Sequence, residues 1–126
     1  MGDRANIRIA DPNERDSEAA VWLYTHWSGY EAPGTLADAL AKRERWSDSP
    51  YLTRIIFAQL TKGQEDGTTG YGISTTIGDN EYPILSVDPV TQTVTLMEDG
   101  GETARWTFEE YVVLNPRTYD NLVAES

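Results

Sequence analysis

The sequence predicts an α+β domain: a mostly antiparallel sheet of about six strands, with a helix pair on one face and a short helix near the C-terminus. Two early segments alternate apolar and polar side chains, which is typical of half-buried strands. Two central segments repeat apolar residues at helical spacing. Further alternating segments follow, separated by short turns, as in antiparallel sheets. We therefore expect the order ββααββββα in a single domain, residues 1–126.

The first two strands are predicted over residues 4–9 and 21–27, and the turn residues at 11–13 favour an antiparallel pair. The second segment, VWLYTHW, is the most aromatic stretch of the chain, and we expect it to be a central strand. In strand geometry successive side chains point to opposite faces. One face of this strand then carries Val21, Leu23, Thr25 and Trp27, and the other carries Trp22, Tyr24 and His26.

Helices are predicted over residues 35–46 and 50–62. In the first, Leu36, Ala39, Leu40 and Arg43 recur at helical spacing, and basic residues follow where a helix C-terminus favours them. The second has Asp48 or Ser49 as its cap and Pro50 in its first turn, and Lys62-Gly63 ends it. Its apolar stripe consists of Leu52, Ile55, Ile56 and Leu60.

The C-terminal half is predicted to form four strands, over residues 71–77, 82–87, 93–98 and 103–106. The short connections between them favour an antiparallel meander. Thr107 and Glu110 fit a capping box, which predicts a short helix over residues 107–114 that Pro116 stops. We expect the chain after it to be frayed.

The composition narrows the cellular setting. The chain has no Cys, which excludes disulfides, thiolate metal sites and a Cys nucleophile. No run is long enough to cross a membrane, and the N-terminus carries charges where a signal peptide needs apolar residues. We therefore expect a cytoplasmic protein with no membrane partner.

Charge is unevenly distributed along the chain. Residues 1–62 hold eight basic and nine acidic residues, whereas residues 63–126 hold two basic and twelve acidic residues, a net charge of −10. Proteins that bind DNA or RNA normally carry the opposite sign, so we predict no direct nucleic-acid binding. A small anionic ligand would have to be held mainly by the N-terminal half, where most of the Arg residues are.

None of the catalytic patterns that we tested fits the chain. The glycine-rich stretch GTTGYGIS, residues 67–74, lacks the Lys of a P-loop and leads into a strand. Thr76 stands where a nucleophile elbow around Ser74 needs its second Gly. His26 is the only His, which argues against a catalytic triad and a zinc site, and the spacing around Asp79 is not that of an EF-hand. We predict that the protein is not an enzyme, with no catalytic residue, no metal and no cofactor.

The remaining candidates for function are Arg residues and aromatic rings. Guanidinium groups pair with phosphates and rings stack on bases, and a glycine-rich turn can add backbone donors. The predicted ligand-binding residues are Arg4, Asn6, Arg8, Trp22, Tyr24, His26, Tyr51, Arg54, Thr69, Gly70, Tyr71 and Ser74. The alternative is that the same side chains form a buried polar network that stabilises the fold.

Five stretches carry a resemblance: MGDRAN at 1–6, YTHW at 24–27, YLTRIIF at 51–57, TTGYGIS at 68–74 and DNEYP at 79–83. In these the chain resembles a family of short hypothetical proteins from bacteriophages, prophages and actinobacteria, over residues 1–113. The resemblance supplies no catalytic residues. It implies a bacterial host cell as the setting and, by analogy with other small acidic phage proteins, a role in anti-defence.

Two functions are consistent with these observations. The first is a sponge, a homo-oligomer that sequesters a small anionic, nucleotide-derived immune signal without altering it. An oligomer is expected because a pocket shared between subunits encloses a ligand more fully than so small a domain can. The alternative is an acidic DNA mimic, or a protein that inhibits a host defence nuclease by binding it.

Overall fold

The computed structural model describes residues 2–124, which form six strands and four helices. The strands are β1 (Ala5–Ala10), β2 (Ala20–Thr25), β3 (Tyr71–Ser74), β4 (Ile84–Asp88), β5 (Thr93–Glu98) and β6 (Gly101–Thr107). The helices are α1 (Ala32–Leu40), α2 (Ser49–Leu60), α3 (Phe108–Leu114) and α4 (Tyr119–Ala124), and a 3-10 turn precedes α1 at Gly29–Glu31. The α+β class with a mostly antiparallel sheet is confirmed.

The strands form one mixed sheet in the order β3-β2-β1-β4-β5-β6. β1 and β2 pair antiparallel, as predicted, and β4, β5 and β6 form an antiparallel meander. The prediction was wrong for β3, which pairs with β2 rather than with β4, and β4 pairs parallel with β1. The prediction of a central second strand was also inaccurate, because β1 and β4 occupy the centre and β2 lies one strand from the edge.

All four helices contribute to a single core on one face of the sheet. Ile7, Ile9, Leu85 and Val87 of the two central strands are almost completely buried. The helices cover them with Leu36, Leu40, Leu52, Ile56, Phe108, Tyr111, Tyr119 and Leu122. The predicted alternation in β2 is confirmed, since Leu23 and Thr25 lie in the core and Trp22 and Tyr24 point to the other face. Within residues 2–124 no helix packs on that other face, which is called the open face below.

The helix pair forms with shifted bounds. The first helix ends at Leu40 rather than at Trp46, because Arg43 and Arg45 adopt positive φ values of 55° and 60° that no α-helix contains. Arg43 therefore does not belong to the helical stripe and pairs with Glu109 at the start of α3. Asp48 caps α2, and its side chain accepts a hydrogen bond from the Tyr51 backbone N–H.

The C-terminal region contains one confirmed and one corrected prediction. Both hydrogen bonds of the capping box between Thr107 and Glu110 are present, and they start α3. The expectation of a frayed tail to residue 126 was wrong for residues 119–124, which form α4, and residues 125–126 lie outside the described part of the chain. The ring of Tyr119 stacks on that of Tyr82 with centroids 4.6 Å apart, and its hydroxyl donates to the Pro83 carbonyl at 2.9 Å. Three of the strands predicted in this half have other bounds: β3 stops at Ser74 rather than at residue 77, β4 begins at Ile84 rather than at residue 82, and β6 spans residues 101–107 rather than 103–106.

None of the helices within residues 2–124 combines the length and the apolar character that a membrane span needs.

The docking of α4 predicts the cost of a truncation in it. Leu122 is fully buried, so Leu122→Ala should lower the free energy of unfolding by about 2–4 kcal/mol in urea denaturation. Val113→Ala is the control, because Val113 is 74% exposed and its truncation should cost less than about 0.5 kcal/mol. Equal effects of the two substitutions would show that α4 does not pack into the core.

Candidate functional site

The open face displays polar side chains from the strands, with the aromatic ring of Trp22 beside them. Strand register aligns one row of side chains across all six strands, because directly paired residues point to the same face. The row consists of Ser74, Trp22, Arg8, Ser86, Thr95 and Arg105. Trp22 is its one aromatic member, and Arg8 and Arg105 are its two charged members. The row thus places an aromatic ring and two cations on the open face.

A groove of about 590 Å³ lies on this face. Its floor is formed by side chains of β1, β2, β4 and β5, including Arg8, Trp22, Ser86 and Met97. One wall is residues 80–83, which lead into β4, and the opposite wall is residues 98–100 in the turn between β5 and β6. The volume lies within the usual range for sites that bind small molecules.

Arg8 is held in place by the protein itself. Its Nη1 donates to Ser86 Oγ at 3.1 Å, and its Nη2 donates to the Glu18 carbonyl at 3.1 Å. The Glu18 carboxylate lies 3.7 Å from Nη2. The guanidinium also lies 5.9 Å from the centroid of the Trp22 ring, within range of a cation–π interaction. Much of the hydrogen-bonding capacity and charge of Arg8 is therefore already satisfied.

The charge of the open face is negative. A second, smaller hollow of about 270 Å³ adjoins the groove and shares Arg8, Ser86 and Met97 with it. Carboxylates line the two hollows at six positions: Glu18, Glu81, Asp88, Glu98, Asp99 and Glu102. Only two guanidinium groups oppose them, and Arg105 is paired with Glu102 at 2.6 Å. The hydrogen bond to Glu102 raises the pKa of Arg105 above its usual value.

Asn6 organises one wall of the groove from below. The chain leaves β3 at the sheet edge and passes over the open face to reach β4, and residues 75–83 are called the crossing segment here. The buried amide of Asn6 donates to the carbonyls of Gly78 and Asp79 at 3.4 and 3.0 Å, and its Oδ1 accepts from the Gly78 N–H at 3.0 Å. It also donates to Asn80 Oδ1 at 3.1 Å. For Asn6, the alternative of a buried polar network is thus the observed arrangement.

Arg4, Tyr24 and His26 come together at the same end of the sheet. The Tyr24 hydroxyl and His26 Nδ1 are 2.9 Å apart, and Arg4 Nη1 lies 3.7 Å from the Asp79 carboxylate. Burial raises the pKa of Tyr24, and the positive charge of Arg4 partly opposes that shift. A Cβ on Gly78 would approach the Tyr24 ring to 3.1 Å, so the crossing segment covers this ring and leaves no room to stack a base on that side.

Tyr82 fixes the far end of the crossing segment. Its hydroxyl donates a hydrogen bond to the Asp3 carboxylate, and this bond, more than burial, raises the pKa of Tyr82 to about 12. The Glu81 backbone N–H donates to the Arg4 carbonyl at 3.0 Å, which joins the segment to the end of β1. Both ends of the groove wall are therefore attached to the N-terminal part of the chain.

Two predicted ligand residues lie on the wrong side of the sheet. Tyr51 and Arg54 are exposed on α2, whose buried residues pack against the core face, so the sheet separates them from Arg8 and Trp22. The ring of Tyr51 instead lies under the guanidinium of Arg45, 4.8 Å from its centroid. Whether the predicted ligand residues converge was left open by the sequence; the structure does not bring Tyr51 and Arg54 together with Arg8 and Trp22.

The glycine-rich loop has a structural role in the described chain. Gly70 has a φ of +90°, and a Cβ there would come within 2.2 Å of the Trp27 ring. The Gly70 carbonyl accepts a hydrogen bond from the His26 N–H at 2.8 Å, and Tyr71 packs edge-on against Trp27. Thr69 is exposed beside them, and Ser74 reaches the open face next to Trp22. Of the twelve predicted residues, only Arg8 and Trp22 line the groove.

Sequence reasoning missed the acidic walls of the groove. Glu81 and Asp99 occur in irregular connecting segments and Glu98 is the last residue of β5; charged residues are common at such positions, and no local pattern singles these three out. Ser86 could have been found, because it alternates with the core residues Leu85 and Val87 in β4.

Comparison of the chain with protein-family models, with curated proteins and with solved structures finds no match to any of them.

The anchoring role of Asn6 predicts a large effect of its removal. Asn6→Ala leaves the Gly78 N–H and two carbonyls without their partner, so the free energy of unfolding should fall by about 2–3 kcal/mol. Asn6→Asp keeps an acceptor for the Gly78 N–H but places a carboxylate against the two carbonyls, and it should also destabilise the protein. Urea denaturation measures both, and hydrogen exchange should show faster exchange in residues 75–83. Unchanged exchange there would contradict the anchoring role.

Proposed function

We propose that the protein is a non-catalytic binding protein that takes a basic segment of a protein partner on its open face. The observation that carries the proposal is the charge of that face, where six carboxylates line the two hollows and both arginines already contact a carboxylate. Such a surface attracts Lys and Arg side chains and repels phosphates.

The groove has carboxylates at its walls and an aromatic ring on its floor. Glu98 and Asp99 make no hydrogen bond or ion pair with their side chains within residues 2–124, so their charges are available to a ligand. Trp22 on the floor offers a ring against which a guanidinium group or the methylene chain of a Lys can pack. Carboxylates at the walls and an aromatic floor are the chemistry that recognises a basic side chain.

The resemblance to small phage and prophage proteins adds a setting to this proposal. In that setting the partner is a basic host protein, such as a defence nuclease whose nucleic-acid site the acidic face would occupy. This step rests on analogy with acidic phage proteins and not on the groove itself.

A charge-neutralising pair of substitutions tests the proposal. Glu98→Gln/Asp99→Asn should weaken the binding of a fluorescein-labelled octa-arginine peptide about fivefold in fluorescence anisotropy, since each exposed charge pair contributes up to about 1 kcal/mol. Higher NaCl concentration should weaken binding of the unsubstituted protein, because exposed charges are screened.

The matched control removes the same charge elsewhere. Glu65→Gln/Asp66→Asn neutralises an adjacent Glu–Asp pair in the exposed loop after α2, outside the open face. It should change the affinity less than twofold. If the two double variants weaken the peptide equally, the open face has no special role and net charge alone explains the binding.

A second candidate is the sequestration of a nucleotide-derived signal in the same groove. The volume of about 590 Å³ and the neighbouring Trp22 and Arg8 favour it, because a base could stack on the ring while the guanidinium faces a phosphate. The carboxylates around the groove oppose it. The two candidate functions therefore predict ligands of opposite charge: a basic peptide for the first and an anionic nucleotide for the second.

Thermal shift measurements with cyclic mono-, di- and trinucleotides and ADP-ribose derivatives test this candidate. A bound ligand should raise the melting temperature by mass action, and Trp22→Ala should abolish the increase. Arg54→Ala should preserve it, because Arg54 lies across the sheet from the groove. If no nucleotide raises the melting temperature, or if Arg54→Ala alone removes the effect, the groove is not a nucleotide site.

A further inference from the structure

The edge of the sheet at β3 is uncharged. Residues 67–78, which contain β3 and its flanks, include no charged residue and no proline, although a quarter of the chain is charged. Within residues 2–124 no strand lies beyond β3 on this side of the sheet. Charges, prolines and covering elements are the means by which proteins prevent an edge strand from pairing with another chain. β3 and its flanks have neither charged residues nor prolines.

Large apolar side chains are exposed along the same edge. Ile73 of β3 is 61% exposed, and Ile77, in the part of the crossing segment that leaves the strand, is 49% exposed. Trp27 is 51% exposed, and its ring packs edge-on against Tyr71 of β3 with centroids 5.8 Å apart. Several apolar residues exposed together at a sheet edge are typical of a surface that another protein covers.

The opposite edge of the sheet has the reverse character. β6 contains Glu102 and Arg105, Glu98 ends β5, Asp99 lies in the turn between the two strands, and Glu109 and Glu110 lie in the first turn of α3. Carboxylates outnumber the one arginine among these residues, so a second copy approaching this edge would meet a net negative charge. The two edges of the sheet therefore differ in charge, which is one of the properties that decide whether an edge strand can pair with another chain.

We propose that β3 is the surface through which two copies of this chain associate, by antiparallel pairing of β3 with its counterpart. A second copy is the occupant that the charges favour. The chain carries a net charge of −11, so two copies repel each other through most of their surface, and the neutral β3 edge is where they approach without that repulsion. A strand can pair with an identical strand about a two-fold axis, which closes the assembly as a dimer.

This pairing determines how the two copies are arranged. Residues directly opposite each other in an antiparallel pair point to the same face, so the two-fold axis is perpendicular to the sheet. The dimer would have one continuous sheet of twice six strands, with all helices on one side and both open faces on the other. Ile73 lies on the helix side of β3, beside the axis, and would be buried in the dimer. The proposal does not depend on what the open face binds.

Substitution of one edge residue tests the dimer. Light scattering after size-exclusion chromatography at about 100 µM, within the range of weak interfaces, should give the unsubstituted protein twice the monomer mass of 14.1 kDa. Ile73→Lys should give the monomer mass, because it places a charge at the edge. Val90→Lys is the matched control: Val90 is 76% exposed in the turn between β4 and β5, and its variant should remain dimeric.

Two further measurements separate a lost interface from a lost fold. Hydrogen exchange of residues 71–74 should be slower in the unsubstituted protein than in Ile73→Lys, and far-UV circular dichroism should be the same. If Ile73→Lys does not fold, Ser74→Lys, which is exposed on the other side of the same strand, takes its place. Added NaCl should favour the dimer by screening the net charge, whereas it should weaken peptide binding to the open face.

The proposal is overturned by a monomeric unsubstituted protein at this concentration, or by a dimer that survives both the Ile73 and the Ser74 substitution. It is also overturned if Val90→Lys dissociates the dimer as fully as Ile73→Lys does.

Discussion

The structure depends on one chain crossing and on the buried amide that makes it possible. β3 ends at the sheet edge, while β4 begins beside β1 on the far side of two strands, so residues 75–83 must pass over the open face. A backbone that leaves the sheet loses its ladder partners and needs others. Asn6 provides them, because a carboxamide both donates and accepts without carrying a charge.

The same crossing creates the candidate site. Without the crossing segment, the open face would be a broad polar surface with no enclosure on that side. With it, residues 80–83 face residues 98–100 across a floor that contains Arg8 and Trp22. Asn6, which anchors the crossing segment, and Arg8, which lies in the floor of the groove, both belong to β1. Any ligand in the groove therefore contacts a segment whose position depends on Asn6.

The surfaces of this acidic protein differ in how much charge they carry. The carboxylates around the groove discourage copies of the chain from meeting face to face, and the charged flanks of β6 do the same at one edge. β3 and its flanks are free of charge. Composition alone states only a net charge of −11, whereas the structure places carboxylates around the groove and leaves the β3 edge without charge.

The sequence by itself determined the features that arise from neighbouring residues. The alternation in β1 and β2, the cap at Asp48 and the capping box at Thr107 and Glu110 were all predictable, because each depends on residues a few positions apart. Only the tertiary structure decided the features that depend on distant pairing. It separated Tyr51 and Arg54 from Trp22 by a sheet, joined β4 to β1, and stacked Tyr119 of α4 on Tyr82. No local pattern contains these relations, because strand order and helix docking are set by how the whole core packs.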